Sequence, residues 1–358
     1  MKQAWSIRPY KEGDEEGIFE LWKAVYPAMK YDQEKWMRWW QWMYKENPVG
    51  PGRIWMAEDD NKIVAHHPLV FMMLKVGNRI MKASYSIDRM THPDYRHQGI
   101  ASKVQRQVLD EAERQGVCIS LGTPNEASHA VDMKTGYFDI ARKQIVCKPL
   151  NWGNAIKLRS SNRLLSEFGA IGGSILDKIF CRRKRAPVIE GLTISRVQFF
   201  DERINEFCAK VSNQYEIMVV RNKEYLNWRY VAVPDVSYSI YIAEKGNQIY
   251  GYLVLRCMQQ EHAKAGVIFD ILAESQPISH CLISRAVEHC EREKADIVYG
   301  IMIADKILIK AFKNNGFISN RFLKDGWIEY YSSSPPVSKE FLKDPKNWFV
   351  QVGDSDQI

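Results

Sequence analysis

Asp88 to Gln115 reads DRMTHPDYRHQGIASKVQRQVLDEAERQ, and the fold is decided by how this stretch is read. Immediately upstream and overlapping it, ASYSIDRM (83–90) has the make-up of a strand. A short polar loop follows, then Arg96-His97-Gln98-Gly99-Ile100-Ala101. From there Ile100, Val104, Val108, Leu109 and Ala112 recur every three to four positions, the repeat of an amphipathic helix. Strand, tight glycine turn and helix start together make a site for an anion. The first N–H groups of a helix have no intrahelical partner, and the helix dipole adds partial positive charge there. Gly99 and Ala101 are small enough for a phosphate to approach the backbone, and Arg96 can add a guanidinium fork.

The two commoner phosphate loops, G-x-x-x-x-G-K-[ST] and G-x-G-x-x-G, are not the pattern here. The pattern is R-x-x-G-x-A, led by HPDYR, with a strand before it and a helix after it. In this it resembles the acyl-CoA pyrophosphate loop of the GNAT superfamily of N-acyltransferases, [RQ]-x-x-G-x-[GA] between the fourth strand and third helix. The resemblance implies an α/β fold on a mixed sheet. It also implies acetyl-CoA as acyl donor, held by Arg96, His97, Gln98, Gly99, Ile100, Ala101 and Ser102.

At 358 residues the chain exceeds one ordinary domain, so two are expected. A hydrophobic fraction of 46% is that of a globular protein, and 11 Trp with 17 Tyr supply volume for large cores. The N-terminus turns acidic where a signal peptide would be apolar, and no apolar run is long enough for a transmembrane helix. Seven scattered cysteines without C-x-x-C read as thiols in a reducing cytoplasm, so neither a disulfide framework nor a metal site is expected. A net charge of +7 suits an anionic ligand such as CoA; without an aromatic-and-basic reader motif it does not indicate nucleic acid.

Taken in order, WSIRP (5–9) reads as a strand, GDEEGIFELWKAVYP (13–27) as an amphipathic helix, and Gln33 to Lys45 as a Trp-dense helix. A hairpin turning at Asp59-Asp60-Asn61 leads into a long strand ending near Gly77-Asn78. After the phosphate loop and its helix come a short buried strand from Val117, a short helix from Asn125 to Lys134, and closing strands in KTGYFDIARKQIVCKPL (134–150). These elements resemble one complete GNAT domain.

The chain then repeats itself. Trp42-x-Tyr44-x-x-x-Pro48 recurs as Trp228-x-Tyr230-x-x-x-Pro234. The same offset carries Ile54 to Ile240, Ala57-Glu58 to Ala243-Glu244, Asn61 to Asn247 and Ile63 to Ile249. With small loop changes Asp88 meets Asp270, and Gly136-Tyr137 meets Gly316-Phe317. Two copies of one fold are expected: a GNAT-like acyl-CoA-binding domain over 1–150, a linker with a helical segment over 151–189, and a second GNAT-like domain over 190–358. The second copy has no glycine between Ile278 and Ile283, so its phosphate loop is degenerate and it is expected not to bind CoA. Between the copies, Leu164 to Ile179 has helical spacing and runs into Arg182-Arg183-Lys184-Arg185. It reads as a linker helix with a solvated basic end; the sharper alternative is a peripheral contact with anionic lipid through residues 160–185.

Direct attack of an amine on a thioester needs CoA held, the carbonyl polarised and the amine deprotonated. The resemblance places the pantetheine arm along the strand at Arg89, Met90 and Thr91, where a backbone N–H would face the carbonyl. Asp88 is the expected base, with His66 and His67 as alternatives. The family's acid, a tyrosine four residues before the G-Y glycine, is replaced by Asp132, expected to face solvent; Tyr137 or Tyr85 could substitute. Asn125 and Ser128 match polar positions along the CoA arm and could equally cap their helix. The expected activity is transfer of acetyl from acetyl-CoA to a small primary amine, an amino sugar by resemblance to acetyltransferases associated with bacterial surface polysaccharides. The competing expectation is a non-enzymatic acyl-CoA-binding regulator or scaffold.

Overall fold

The computed structural model describes residues 5–29, 32–157, 183–260, 263–300, 303, 306–319 and 326–355. The first half runs β1 (Ser6–Pro9), α1 (Glu15–Val25), α2 (Gln33–Tyr44), β2 (Arg53–Asp59), β3 (Lys62–Val76), β4 (Arg79–Ser86), β5 (Met90–Thr91), α3 (Ile100–Arg114), β6 (Ile119–Gly122), α4 (Glu126–Thr135) and β7 (Phe138–Arg142). The β2–β3 hairpin turns where expected, because Asp60 and Asn61 accept positive φ values of 47° and 62°. The Asp32 carboxylate starts α2 by accepting from the Glu34 and Lys35 amides. Helix α3 buries Ile100, Val104, Val108, Leu109 and Ala112 against Ala65, Leu69 and Phe71 of β3 and other sheet residues. Each large aliphatic buried there contributes ~1.5–3 kcal/mol.

The second half adds strands β8 (Val146–Pro149), β9 (Thr193–Val197), β10 (Ile217–Val219), β11 (Ser239–Lys245), β12 (Gln248–Gln259), β13 (Lys264–Ala273), β14 (Ile297–Gly300), β15 (Ile318–Ser319), β16 (Trp327–Tyr331) and β17 (Trp348–Phe349). A long helix, Gln276–Arg292, follows β13. The internal repeat is visible in detail. The β2–β3 pair carries a bulge between Ala57 and Glu58, and the β11–β12 pair carries one between Ala243 and Glu244.

The chain forms two compact units, and neither is contiguous. The first comprises Met1–Arg142, Ala232–Val236 and Asp325–Asn347; the second comprises Lys143–Val231, Ser237–Lys324 and Trp348–Ile358. The main path of the first sheet is β1-β2-β3-β4-β6-β16-β7, antiparallel except for β4–β6. The second runs β15-β8-β14-β13-β12-β11-β9, antiparallel except for β13–β14. The closing strands therefore differ from the expectation. β7 joins the first sheet, but β8 inserts between β14 and β15 of the second. The matching slot in the first sheet, between β6 and β7, is filled by β16 from the far end of the chain. The two halves exchange one strand each. Local alternation specifies a strand but not which sheet accepts it, which is why the sequence pattern misassigned these.

The segment Leu164 to Ile179 lies outside the described residues. Of the basic run, Arg183 donates to Ser284 and pairs with Glu288 at 2.9 Å. Among the described residues no helix is long and apolar enough to cross a membrane, and Cys118, Cys147, Cys208, Cys257, Cys281 and Cys290 are free thiols.

Candidate functional site

The site is built where β4 stops. Its parallel pairing to β6 ends at Ser86 opposite Gly122. On the other side, β3 pairs Leu69 with Ser86 and His66 with Met90. Two β3 residues thus face three, Ile87, Asp88 and Arg89, and the extra residue makes a bulge. Asp88 takes a φ of +45° there, a conformation for which aspartate is among the better-suited side chains. Among the described residues β5 resumes on β3 only. The His92 amide donates to the Val64 carbonyl, so antiparallel alternation turns the Thr91 N–H and C=O away from β3. The Thr91 carbonyl accepts from Arg96 Nε at 3.3 Å.

The loop that follows is shaped by two left-handed residues, His97 (φ 63°) and Gly99 (φ 75°). Gly99 is the N-cap of α3, and no side chain caps that end. A Cβ on Gly99 would meet nothing within 4 Å, so the helix start opens onto free space. Arg96, His97, Gln98 and Gly99 are exposed, Ala101 and Ser102 half-buried, and Ile100 is buried as the first core residue of α3. The Ser102 hydroxyl donates back to the Gly99 carbonyl at 3.0 Å. Tyr95 anchors the loop by donating to Asp59 at 2.7 Å. The turn and the uncapped helix start lie where the sequence placed them.

Around the bulge two groups of side chains collect. In one, Tyr44 of α2 donates to Asp88 Oδ2 at 3.0 Å. His66 Nδ1 lies 3.2 Å from the Asp88 carbonyl. A carbonyl only accepts, so Nδ1 carries the proton and Nε2 presents its lone pair. That Nε2 is buried without a hydrogen-bond partner. Burial pushes the His66 imidazole down to about 4, so it stays neutral. His67, also pushed down by burial, sits 2.7 Å from the Ser86 hydroxyl.

In the other group, the Arg89 guanidinium turns inward and forms a fork with the Asp132 carboxylate. It also donates to Gln105 Oε1 and to the Ser128 carbonyl, each at 2.8 Å. Asp132 is 4% exposed, not solvent-facing as expected. Arg89, forty-three residues away, supplies the charge that makes its burial affordable. Glu329 of the exchanged β16 joins this group. Burial, with Asp132 as neighbour, pushes its carboxyl up to about 10.

The remaining expected residues are placed as follows. Tyr137 is 3% exposed within the core, its hydroxyl 3.2 Å from Ser120 Oγ, and burial raises its phenol. Tyr85 donates to Thr123 at 2.6 Å. Asn125 caps α4 by accepting from the Ser128 amide at 2.9 Å. Met90 is buried and Thr91 half-buried on β5. The structure thus brings Asp88 and His66 together and leaves Tyr137 in the core. Sequence reasoning missed Tyr44, Gln105 and Glu329, and named Arg89 for its backbone along the CoA arm but not for its side chain. The conserved spacing of W-x-Y between the two halves was the available signal for Tyr44; nothing local pointed to Glu329.

In the second half the same frame carries different groups. Tyr230 donates to Asp270 at 3.2 Å, as Tyr44 does to Asp88. Asp270, however, is fully buried and ion-paired to Arg221, which also holds Asp354. β13 continues through Asp270 as one strand, with a bulge in its pairing to β12 at Phe269 and no change of strand at Asp270. The helix after it starts with Pro277 in its first turn, and Ile278, Leu282 and Ile283 are buried. No left-handed glycine opens that end.

Many solved structures share the fold. A GCN5-related N-acetyltransferase from Anabaena variabilis superimposes with a TM-score of 0.61 at 12% identity, covering 91% of this chain and 72% of that one. One from Kribbella flavida gives 0.59 at 13%, covering 92% and 72%. Saccharomyces cerevisiae N-myristoyltransferase with bound myristoyl-CoA gives 0.59 at 11%, covering 92% and 80%. No curated protein matches the sequence. Residues 6–137, which contain every element of this site except Glu329, match the family model of the acetyltransferase (GNAT) domain.

Proposed function

We propose that this chain is an acyl-CoA-dependent N-acyltransferase that moves acetyl from acetyl-CoA to a primary amine by direct attack in a ternary complex. The carrying observation is the uncapped, open N-terminus of α3 behind left-handed Gly99, beside the free edge of β5, within the segment that matches the GNAT domain. CoA pyrophosphate sits on the Gly99 to Ser102 amides with Arg96 as counter-charge. The pantetheine arm lies along β5 as an added strand. The Thr91 N–H, turned away from β3, then donates to the thioester oxygen, where negative charge develops.

Asp88 takes the proton of the attacking amine. The bulge lifts its carboxylate out of the strand, and Tyr44 orients it. A second reading gives this step to His66, favoured by its unpartnered neutral Nε2. The leaving thiolate needs no acid, because a thiol is far more acidic than an alcohol. The acceptor is a small amine, an amino sugar by the resemblance noted above. The second half binds no CoA and serves as scaffold. Calorimetric titration with CoA tests the reading: one site per chain is expected, and no binding overturns it.

A further inference from the structure

We propose that His129, Asp139 and Glu329 form a binding site for one divalent transition-metal ion of the zinc type, independent of the acyl-transfer reading. The three residues come from α4, β7 and the exchanged β16. His129 Nε2 lies 2.7 Å from Asp139 Oδ1 and 3.9 Å from Glu329 Oε2. One ligand atom from each residue falls within 4.8 Å of the others. Zinc legs of about 2.0–2.2 Å place tetrahedral ligand atoms roughly 3.3–3.6 Å apart, a spacing the observed distances straddle.

Asp139 and Glu329 face each other across β16 and β7. The Glu329 side chain is 1% exposed; no N–H or hydroxyl donor among the described residues reaches either carboxylate oxygen, and its carboxyl neighbour is Asp132. A buried acceptor left in that state costs ~1–3 kcal/mol or more. Its Oε2 points toward His129, while Oε1 lies over Gly122, where a Cβ would come within 3.2 Å of it. A side chain at position 122 would therefore crowd the carboxylate. His129 is fixed by stacking on Trp327, centroids 3.9 Å apart and planes 8° apart, and the Arg142 guanidinium lies 3.7 Å from the same ring. Two oxygens and one imidazole nitrogen are a donor set suited to zinc, with a water in the fourth position. Such an ion would fasten β16, from the far end of the chain, to elements of the first half.

The test uses tag-free full-length protein, stripped with a chelator and titrated with zinc alone. One ion per chain and a raised Tm are expected. Glu329→Gln and His129→Gln should each weaken zinc more than about 100-fold, since losing a group that merely orients a ligand costs ~10–100-fold. Asp139→Asn, at a side chain 47% exposed, is the variant that keeps the test open if Glu329→Gln fails to fold. No bound zinc overturns the site. So does a stoichiometry of one that survives these substitutions, or that disappears instead in Cys257→Ser, whose sulfur lies 3.8 Å from that of Cys290.

Discussion

Replacing Gly99 with glutamate separates the charge of the proposed CoA cradle from its shape. The position has a φ of +75° and open space around its missing Cβ, so no neighbour obstructs the new side chain. The left-handed backbone alone costs about 1–2 kcal/mol for a residue with a Cβ. Gly99→Ala carries that cost too and serves as the reference. The carboxylate adds repulsion toward the pyrophosphate. One pair of unit charges 4 Å apart is worth ~1 kcal/mol in water and ~4 kcal/mol at the effective dielectric of a protein surface. Gly99→Glu should therefore bind CoA about 5- to 1000-fold more weakly than Gly99→Ala, with the gap narrowing as salt rises. Calorimetry at two ionic strengths, with circular dichroism to establish folding, reads the difference. Equal affinity for the two folded variants would refute the placement of the pyrophosphate at α3.

Asp88→Asn preserves the positive φ and can still accept from Tyr44, so CoA should bind while turnover falls by ~10²–10⁴ in a coupled thiol-release assay. Full turnover would pass the base to His66. His66 is held neutral at about 4 against an ordinary 6.5. The unfolded chain takes that proton first, so the stability it confers is present above about pH 6.5 and drains by up to about 3 kcal/mol as pH falls to ~4. Urea unfolding of His66→Gln should show that acid limb flattened. Arg89→Met leaves the Asp132 carboxylate buried and uncompensated, at ~3–5 kcal/mol, and adding Asp132→Leu should restore most of it. CoA titration should return one site per chain; two equivalent sites would contradict the assignment of the second half.

What could be read from the sequence was local. The turn and helix of the proposed anion loop are legible because they lie, with their small residues, within Arg96 to Ala112. The hairpin at Asp60-Asn61 and the duplication are legible for the same reason, and the paired bulges at Ala57 and Ala243 place both copies in register. What escaped was decided by partners distant in sequence. Asp132 looks solvent-facing until Arg89 is known to reach it. Val146–Pro149 looks like the last strand of its own domain until β16 is seen in that slot. Tyr137 carries a polar hydroxyl that could have been functional, yet its ring packs with Leu69, Phe71 and Val108 and its hydroxyl is spent on Ser120.

The central claim is acyl transfer to an amine. Purified chain incubated with acetyl-CoA and a panel of primary amines, nucleotide-linked amino sugars included, should release free CoA and give one amine whose mass rises by a single acetyl group, with Gly99→Glu inactive. Tight CoA binding by the wild-type chain without acetylation of any amine in the panel would contradict the account.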